Sequence, residues 1–192
     1  MIPTYLNDLQ LDKVFATYCD NVGQYILEST KDEHVVDSDA QKVSVFVTST
    51  FGQAEDVSFK FFAVENPKGG AYALLQIDNG IIQSSLTKKC DCAIANDSYL
   101  CFIEFKANAH SNLIATIEKN YRKALDQLST TIAIFDTYHN SKGIDFRTLR
   151  NVEAYICFRH GYPMSTSSQM NYQVSFATNN RIPLSFVRKK AL

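Results

Sequence analysis

The sequence predicts an α/β domain, a mixed central sheet flanked by helices. Three observations carry that expectation. Residues 71–107 read as an antiparallel meander of apolar runs joined by short turns. A stretch of helical period over 111–138 follows at once. Val152 to Phe158 is then a strong strand, and a strand returning after a helix can lie parallel to an earlier one.

In chain order, Leu11, Val14, Phe15, Tyr18, Val22, Tyr25 and Ile26 recur at helical spacing and predict a first amphipathic helix over 8–29. Ser29 to Gln41 is polar and reads as a loop. Val43–Val47 and Val57–Val64 read as strands of an added hairpin, separated by a turn over Gly52–Asp56. Asn66-Pro67-Lys68-Gly69-Gly70 is a break. Ala71–Ile77 is a strand, Asp78-Asn79-Gly80 a tight turn, and Ile81-Ile82 the start of a return strand. In the helix over 111–138, Leu113, Ile114, Ile117, Tyr121, Ala124, Leu128, Ile132 and Phe135 form the apolar stripe, with Ser111 as N-cap. Gly161–Asn171 reads as loop, and Tyr172–Ala177 and Pro183–Val187 as strands joined through Asn179-Asn180.

The chain has 192 residues, 45% hydrophobic and 20% charged, which suits one domain with a real core. It divides into an N-terminal helix and β addition (1–70) and a core (71–192). A net charge of −1 excludes a strongly basic nucleic-acid coat but allows a local patch. Five cysteines at irregular spacing read as small buried hydrophobes in a reducing compartment, and Cys90-x-Cys92 lacks the partners of a zinc site. No basic segment followed by an apolar run opens the chain, and no stretch approaches the ~20 apolar residues of a membrane span, so a cytoplasmic, soluble protein is expected.

The chemistry concentrates between Cys90 and Lys106. With a two-residue turn at Asp97-Ser98, Asn96 pairs Tyr99, Ile94 pairs Cys101 and Asp91 pairs Glu104. Side chains alternate across a strand, so Asp91, Glu104 and Lys106 share one face, opposite Cys92 and Cys101. Two opposed carboxylates repel unless something positive stands between them. Lys106 is one candidate and a divalent metal the other. Two carboxylates and a lysine are equipment for metal-assisted hydrolysis of a phosphodiester.

The pattern of Asp91, twelve residues, then Glu104-Phe105-Lys106 resembles that of the PD-(D/E)XK nuclease superfamily, which has the restriction-endonuclease-like fold. The resemblance covers about residues 71–160. Cys90 stands where the proline that names the motif would be. The resemblance implies that Asp91, Glu104 and Lys106 are catalytic, joined by a residue of the following helix; Gln127 is chosen, with Lys123 and Tyr121 as alternatives. It implies Mg²⁺, or Mn²⁺ in its place, held by Asp91, Glu104 and the Phe105 carbonyl. A further acid would come from Glu28 or Asp78. The implied activity is hydrolysis of phosphodiester bonds in nucleic acid, DNA first, in restriction, defence or repair. A catalytically silent member that binds nucleic acid or a partner protein is the alternative. Phosphates need cations: Lys88, Lys89, Lys119, Arg122 and Lys123 flank the site, and Arg147, Arg150 and Arg188-Lys189-Lys190 lie beyond. A homodimer or a partner subunit would suit a duplex, and no membrane partner is expected. His110 lies near the helix start, while His34, His139 and His160 show no cage-like spacing.

Overall fold

A computed structural model describes residues 1–47, 61–106, 109, 113–158 and 166–192. The strands are β1 (Ile26–Ser29), β2 (Glu33–Ser38), β3 (Val43–Val47), β4 (Phe61–Glu65), β5 (Tyr72–Gln76), β6 (Cys92–Ala95), β7 (Tyr99–Lys106), β8 (Asn151–Phe158), β9 (Leu184–Ser185) and β10 (Lys189–Ala191). The α-helices are α1 (Leu11–Val14), α2 (Ile114–Asn140) and α3 (Thr166–Asn180). The larger sheet runs β1-β5-β6-β7-β8-β9, and a smaller sheet runs β10-β4-β2-β3. Strands β1, β5, β6 and β7 are antiparallel in turn; β8 lies parallel to β7 and β9 parallel to β8. The expected mixed α/β sheet is therefore present.

The central strands are covered on both faces, which is why β5 and β6 are apolar along nearly their whole length. Alternation sorts β7 into two sets. Leu100 and Phe102 pack with α2 and the N-terminal segment, in a core where Phe135 meets Phe15, Phe102 and Phe146 at ring-centroid distances of 5.5, 5.3 and 5.4 Å. Cys101, Ile103 and Phe105 pack with Val35, Phe62 and Val64 of the smaller sheet. All five cysteines are free, and four are buried, as small hydrophobes would be.

Several expectations are corrected. The segment 8–29 is not one helix. It is a 3-10 turn (Thr4–Leu9), the single turn α1, a second 3-10 turn (Val22–Tyr25) and the strand β1. The break comes at Gln10, which sits in the left-handed region at φ 48°. Part of the expected loop 29–41 is β2, which lies between β3 and β4, so 43–47 and 61–65 do not pair with each other. Ile81-Ile82 does not begin a return strand. The turn closes on itself through Ile81 N to Gln76 O and Ile82 N to Ile77 O, and both isoleucines drop into the core. The return partner of β5 is β6. Leu113 and Ile114, expected in the apolar stripe, are 72% and 75% exposed. Thr166–Asn180 is helix, so residues 172–177 are not a strand. The turn over 52–56, residues 57–60, His110, Ser111 and His160 lie outside the described residues.

Candidate active site

The β6–β7 register pairs Cys92 with Ile103, Ala93 with Phe102, Ile94 with Cys101 and Ala95 with Leu100. Continued by one step it sets Asp91 against Glu104. The turn is held by Asn96, whose side-chain oxygen accepts from Ser98 N and Tyr99 N at 2.9 and 2.7 Å. Asp91, Glu104 and Lys106 thus share the face that looks toward α2.

That face is stitched to α2 by polar contacts. Lys106 Nζ donates to Glu104 Oε1 and to Gln127 Oε1, the latter at 2.9 Å. Gln127 Nε2 donates to the Lys89 carbonyl at 2.9 Å. One turn on, Thr131 Oγ1 accepts from Cys90 N at 2.9 Å and donates to the Gln127 carbonyl at 3.1 Å. Gln127 and Thr131 therefore fix the two residues that precede Asp91. Gln127 was visible as a helix residue facing the site; Thr131 carried no sequence signal, because threonine in a helix usually bonds its own backbone.

Both carboxyl groups are buried, Asp91 at 7% exposure and Glu104 at 1%. Asp91 Oδ2 accepts from Phe105 N at 2.5 Å. Burial pushes the Asp91 pKa well above the carboxylate range, Glu104 and Asp37 push it further, and the Phe105 N–H and Lys106 only partly offset this. Burial likewise raises Glu104, against the charge and hydrogen bond of Lys106 and with further upward pressure from Asp78 and Asp37, to about 7. Glu104 Oε2 is buried and has no hydrogen-bond partner among the described residues. An orphaned buried carboxylate oxygen is costly, and a cation is one thing that satisfies it.

Of the two proposed extra acids, Asp78 is at the site and Glu28 is not. Asp78 follows β5 and pairs with Lys89 Nζ at 3.0 Å. Glu28 pairs with Ala73, toward the opposite end of β5, and receives the Tyr5 hydroxyl at 3.2 Å. Asp37 of β2, which sequence reasoning missed, adds its field to the site. Its own pKa is raised by partial desolvation and then by Asp78 and Asp39, with Lys106 acting in the other direction.

The donors that could hold a metal are all oxygen: Asp91, Glu104 and the Phe105 carbonyl. That composition fits a hard divalent cation, and the orphaned Glu104 Oε2 fits it too. Among the described residues no three or more His, Cys, Asp or Glu side chains are grouped to hold a metal by themselves. Carbonyl and water ligands would have to complete the shell.

A cleft of about 900 Å³ opens beside the site, lined by Asp78, Lys89 and Gln127 at one end and by the first half of α2. All five cations singled out in the sequence, Lys88, Lys89, Lys119, Arg122 and Lys123, line it. Lys89 is turned inward, with its Nζ on Asp78 and on the Ser84 carbonyl at 2.7 Å. Its charge is spent inside the site rather than offered to solvent. Arg147 and Arg150 lie elsewhere, paired with Asp136 and Asp145 and with Asp8. No helix among the described residues is long and apolar enough to cross a membrane. No protein-family profile, no curated protein and no solved structure matches the chain.

Proposed function

We propose that the protein is a metal-dependent nuclease of the PD-(D/E)XK type, hydrolysing phosphodiester bonds in nucleic acid, with DNA the first expectation. The observation that carries the reading is the buried pair Asp91 and Glu104, opposed across one hairpin, with Lys106 beside them and Glu104 Oε2 unsatisfied. A hairpin followed by α2 and the parallel strand β8 is also the order expected of a restriction-endonuclease-like core.

Asp91, Glu104 and the Phe105 carbonyl would hold Mg²⁺, which when bound supplies charge neutralisation and acidifies a water. The chain's own groups do the rest. Phe105 N–H fixes one oxygen of Asp91, leaving the other free to act. Lys106, steadied between Glu104 and Gln127, is placed to orient the attacking water and to stabilise negative charge building on the phosphoryl oxygens. Gln127 positions Lys106 and ties it to the backbone before Asp91. Burial makes each of these charges count for more than it would in water.

The alternative, a silent nuclease-fold protein that binds nucleic acid or a partner, is favoured by one feature: Lys106 already neutralises Glu104 directly. The two readings part in one experiment. Plasmid, linear and single-stranded DNA and RNA are incubated with Mg²⁺ or Mn²⁺ and wild type, Glu104→Ala or Lys106→Ala. Metal-dependent cutting by wild type, lost in both variants, is expected. No cutting on any substrate, together with no Mn²⁺ binding by wild type, sinks the enzyme reading.

A further inference from the structure

The cleft beside α2 holds a feature that folding does not require. Lys119, Lys123 and Gln127 are spaced i, i+4, i+8 and form one ridge along the helix, rising about 6 Å at each step. Gln127 is the residue that holds Lys106. Lys119 and Lys123 are exposed, and each has no hydrogen-bond or ion-pair partner among the described residues. Like charges at this spacing are mildly destabilising in a helix. Arg122 and Lys88, which share the cleft, are by contrast paired with Glu118 and Asp126.

Lys88 and Asp126, which both line the cleft beside Gln127, pair with each other at 2.5 Å through exposed side chains. A volume of about 900 Å³ suits a few nucleotides and not a double helix. The chain as a whole carries a charge of −1, and Arg147 and Arg150 are neutralised by Asp136, Asp145 and Asp8, so these two arginines add no positive face for a duplex.

Resting on the nuclease reading above, we propose that this cleft is a track for a single strand of nucleic acid. Lys119 and Lys123 take successive phosphates, and the ridge leads the strand to Lys106. Bases stacked on aromatic rings hold many single-strand binders, but among the described residues no aromatic side chain lines this cleft. Binding is therefore mainly electrostatic and strongly dependent on salt.

The test is fluorescence anisotropy with a short labelled single-stranded DNA, and with the same sequence as a duplex, in EDTA so that no cutting intervenes. Salt is varied for wild type, for Lys119→Gln/Lys123→Gln, and for Lys142→Gln as an exposed lysine beyond the far end of α2. The single strand should bind more tightly than the duplex. The double variant should lose on the order of tenfold in affinity and about 1.4 in the slope of log affinity against log salt, about 0.7 per lost phosphate contact. Lys142→Gln should match wild type. An unchanged slope in the double variant, tighter binding of the duplex, or no binding by wild type overturns the track. If the track behaves as expected but wild type cuts no substrate and binds no Mn²⁺, the nuclease reading falls and the track stands. If wild type and double variant cut and bind alike, the track falls and the nuclease reading stands.

Discussion

Asp91 reaches past its cross-strand partner to accept the backbone N–H of Phe105, at 2.5 Å. This bond clamps the first carboxylate to the strand that carries the second. It also ties up only one oxygen of Asp91, so the two acids can face a common point without collapsing onto each other. The arrangement costs stability wherever both are ionised, and that cost can be measured.

Glu104 sets the first prediction. Its pKa in the folded protein is about 7, above the ordinary 4.5. Between those values the folded protein holds a proton that the unfolded chain has released. Stability should therefore fall as pH rises from about 4.5 to 7 and stay low above it, by a total of the order of 3 kcal/mol. Asp91, also raised, acts in the same direction. Glu104→Gln should unfold at higher temperature than wild type at pH 8 and show a flatter dependence over this window. Millimolar Mg²⁺ should raise the melting temperature of wild type at pH 8 and leave Glu104→Gln unmoved. Equal pH dependence in the two proteins would dispose of the buried-carboxylate account.

Gln127 holds Lys106 through its oxygen and Lys89 through its nitrogen. Gln127→Leu removes both bonds and, on the nuclease proposal, should lower metal-dependent cleavage by roughly 10–100-fold, the usual range for a residue that orients a site from one step away. Gln127→Glu keeps an acceptor for Lys106 but loses the donor to Lys89, and should retain more activity than the leucine variant. If both variants cut at wild-type rate, Lys106 does not depend on α2 for its position.

How much of this was legible follows from how local each signal is. The Asp97-Ser98 turn fixes the register of β6 and β7, so Asp91 opposite Glu104 could be counted from the sequence. The helical period of α2 was equally plain, because Tyr121, Ala124, Leu128, Ile132 and Phe135 all face the core. β2 was hidden. Only Val35 of Glu33–Ser38 is fully buried, so no apolar pattern marks the strand, and with it Asp37 went unseen. α3 misled in the opposite sense. Tyr172, Val174 and Phe176 alternate like a strand, yet Tyr172 and Phe176 are also i, i+4 on a helix. Tyr172 stacks on Tyr121 at 5.1 Å, while Val174 is left exposed. Long-range pairing and packing, which no short window contains, decided both.

Gly80 makes the turn that delivers Asp78 to the site. A Cβ on it would stand 2.2 Å from the Gln76 carbonyl oxygen, a backbone atom that accepts the Ile81 N–H and cannot swing aside. Gly80→Ala should therefore destabilise the protein by about 2–3 kcal/mol in a urea titration. Because the same turn carries the partner of Lys89, the nuclease proposal adds that the variant should lose cleavage beyond what its stability explains. Wild-type stability in Gly80→Ala would mean the turn can open without cost.

His139 supplies a pH dependence of opposite sign. It is buried among Phe135, Tyr138 and Phe146, and neither ring nitrogen makes a hydrogen bond of good geometry among the described residues. Burial lowers its pKa, and the nearby Leu9 carbonyl with Asp8 and Asp136 offsets this only in part. The folded protein thus keeps His139 neutral where the unfolded chain takes up a proton, below about pH 6.5. Stability is lost as pH falls through that range. In wild type this loss is masked, because Glu104 and Asp91 gain stability over the same interval. His139→Phe should leave stability at pH 8 nearly unchanged and raise it at pH 5, since an apolar ring has no proton to exclude. Glu104→Gln should do the reverse, raising stability at pH 8 and giving up the gain toward acid that offsets the His139 loss in wild type. Thermal melts of the three proteins from pH 5 to 8 decide the matter: parallel curves would mean that neither buried group is coupled to folding.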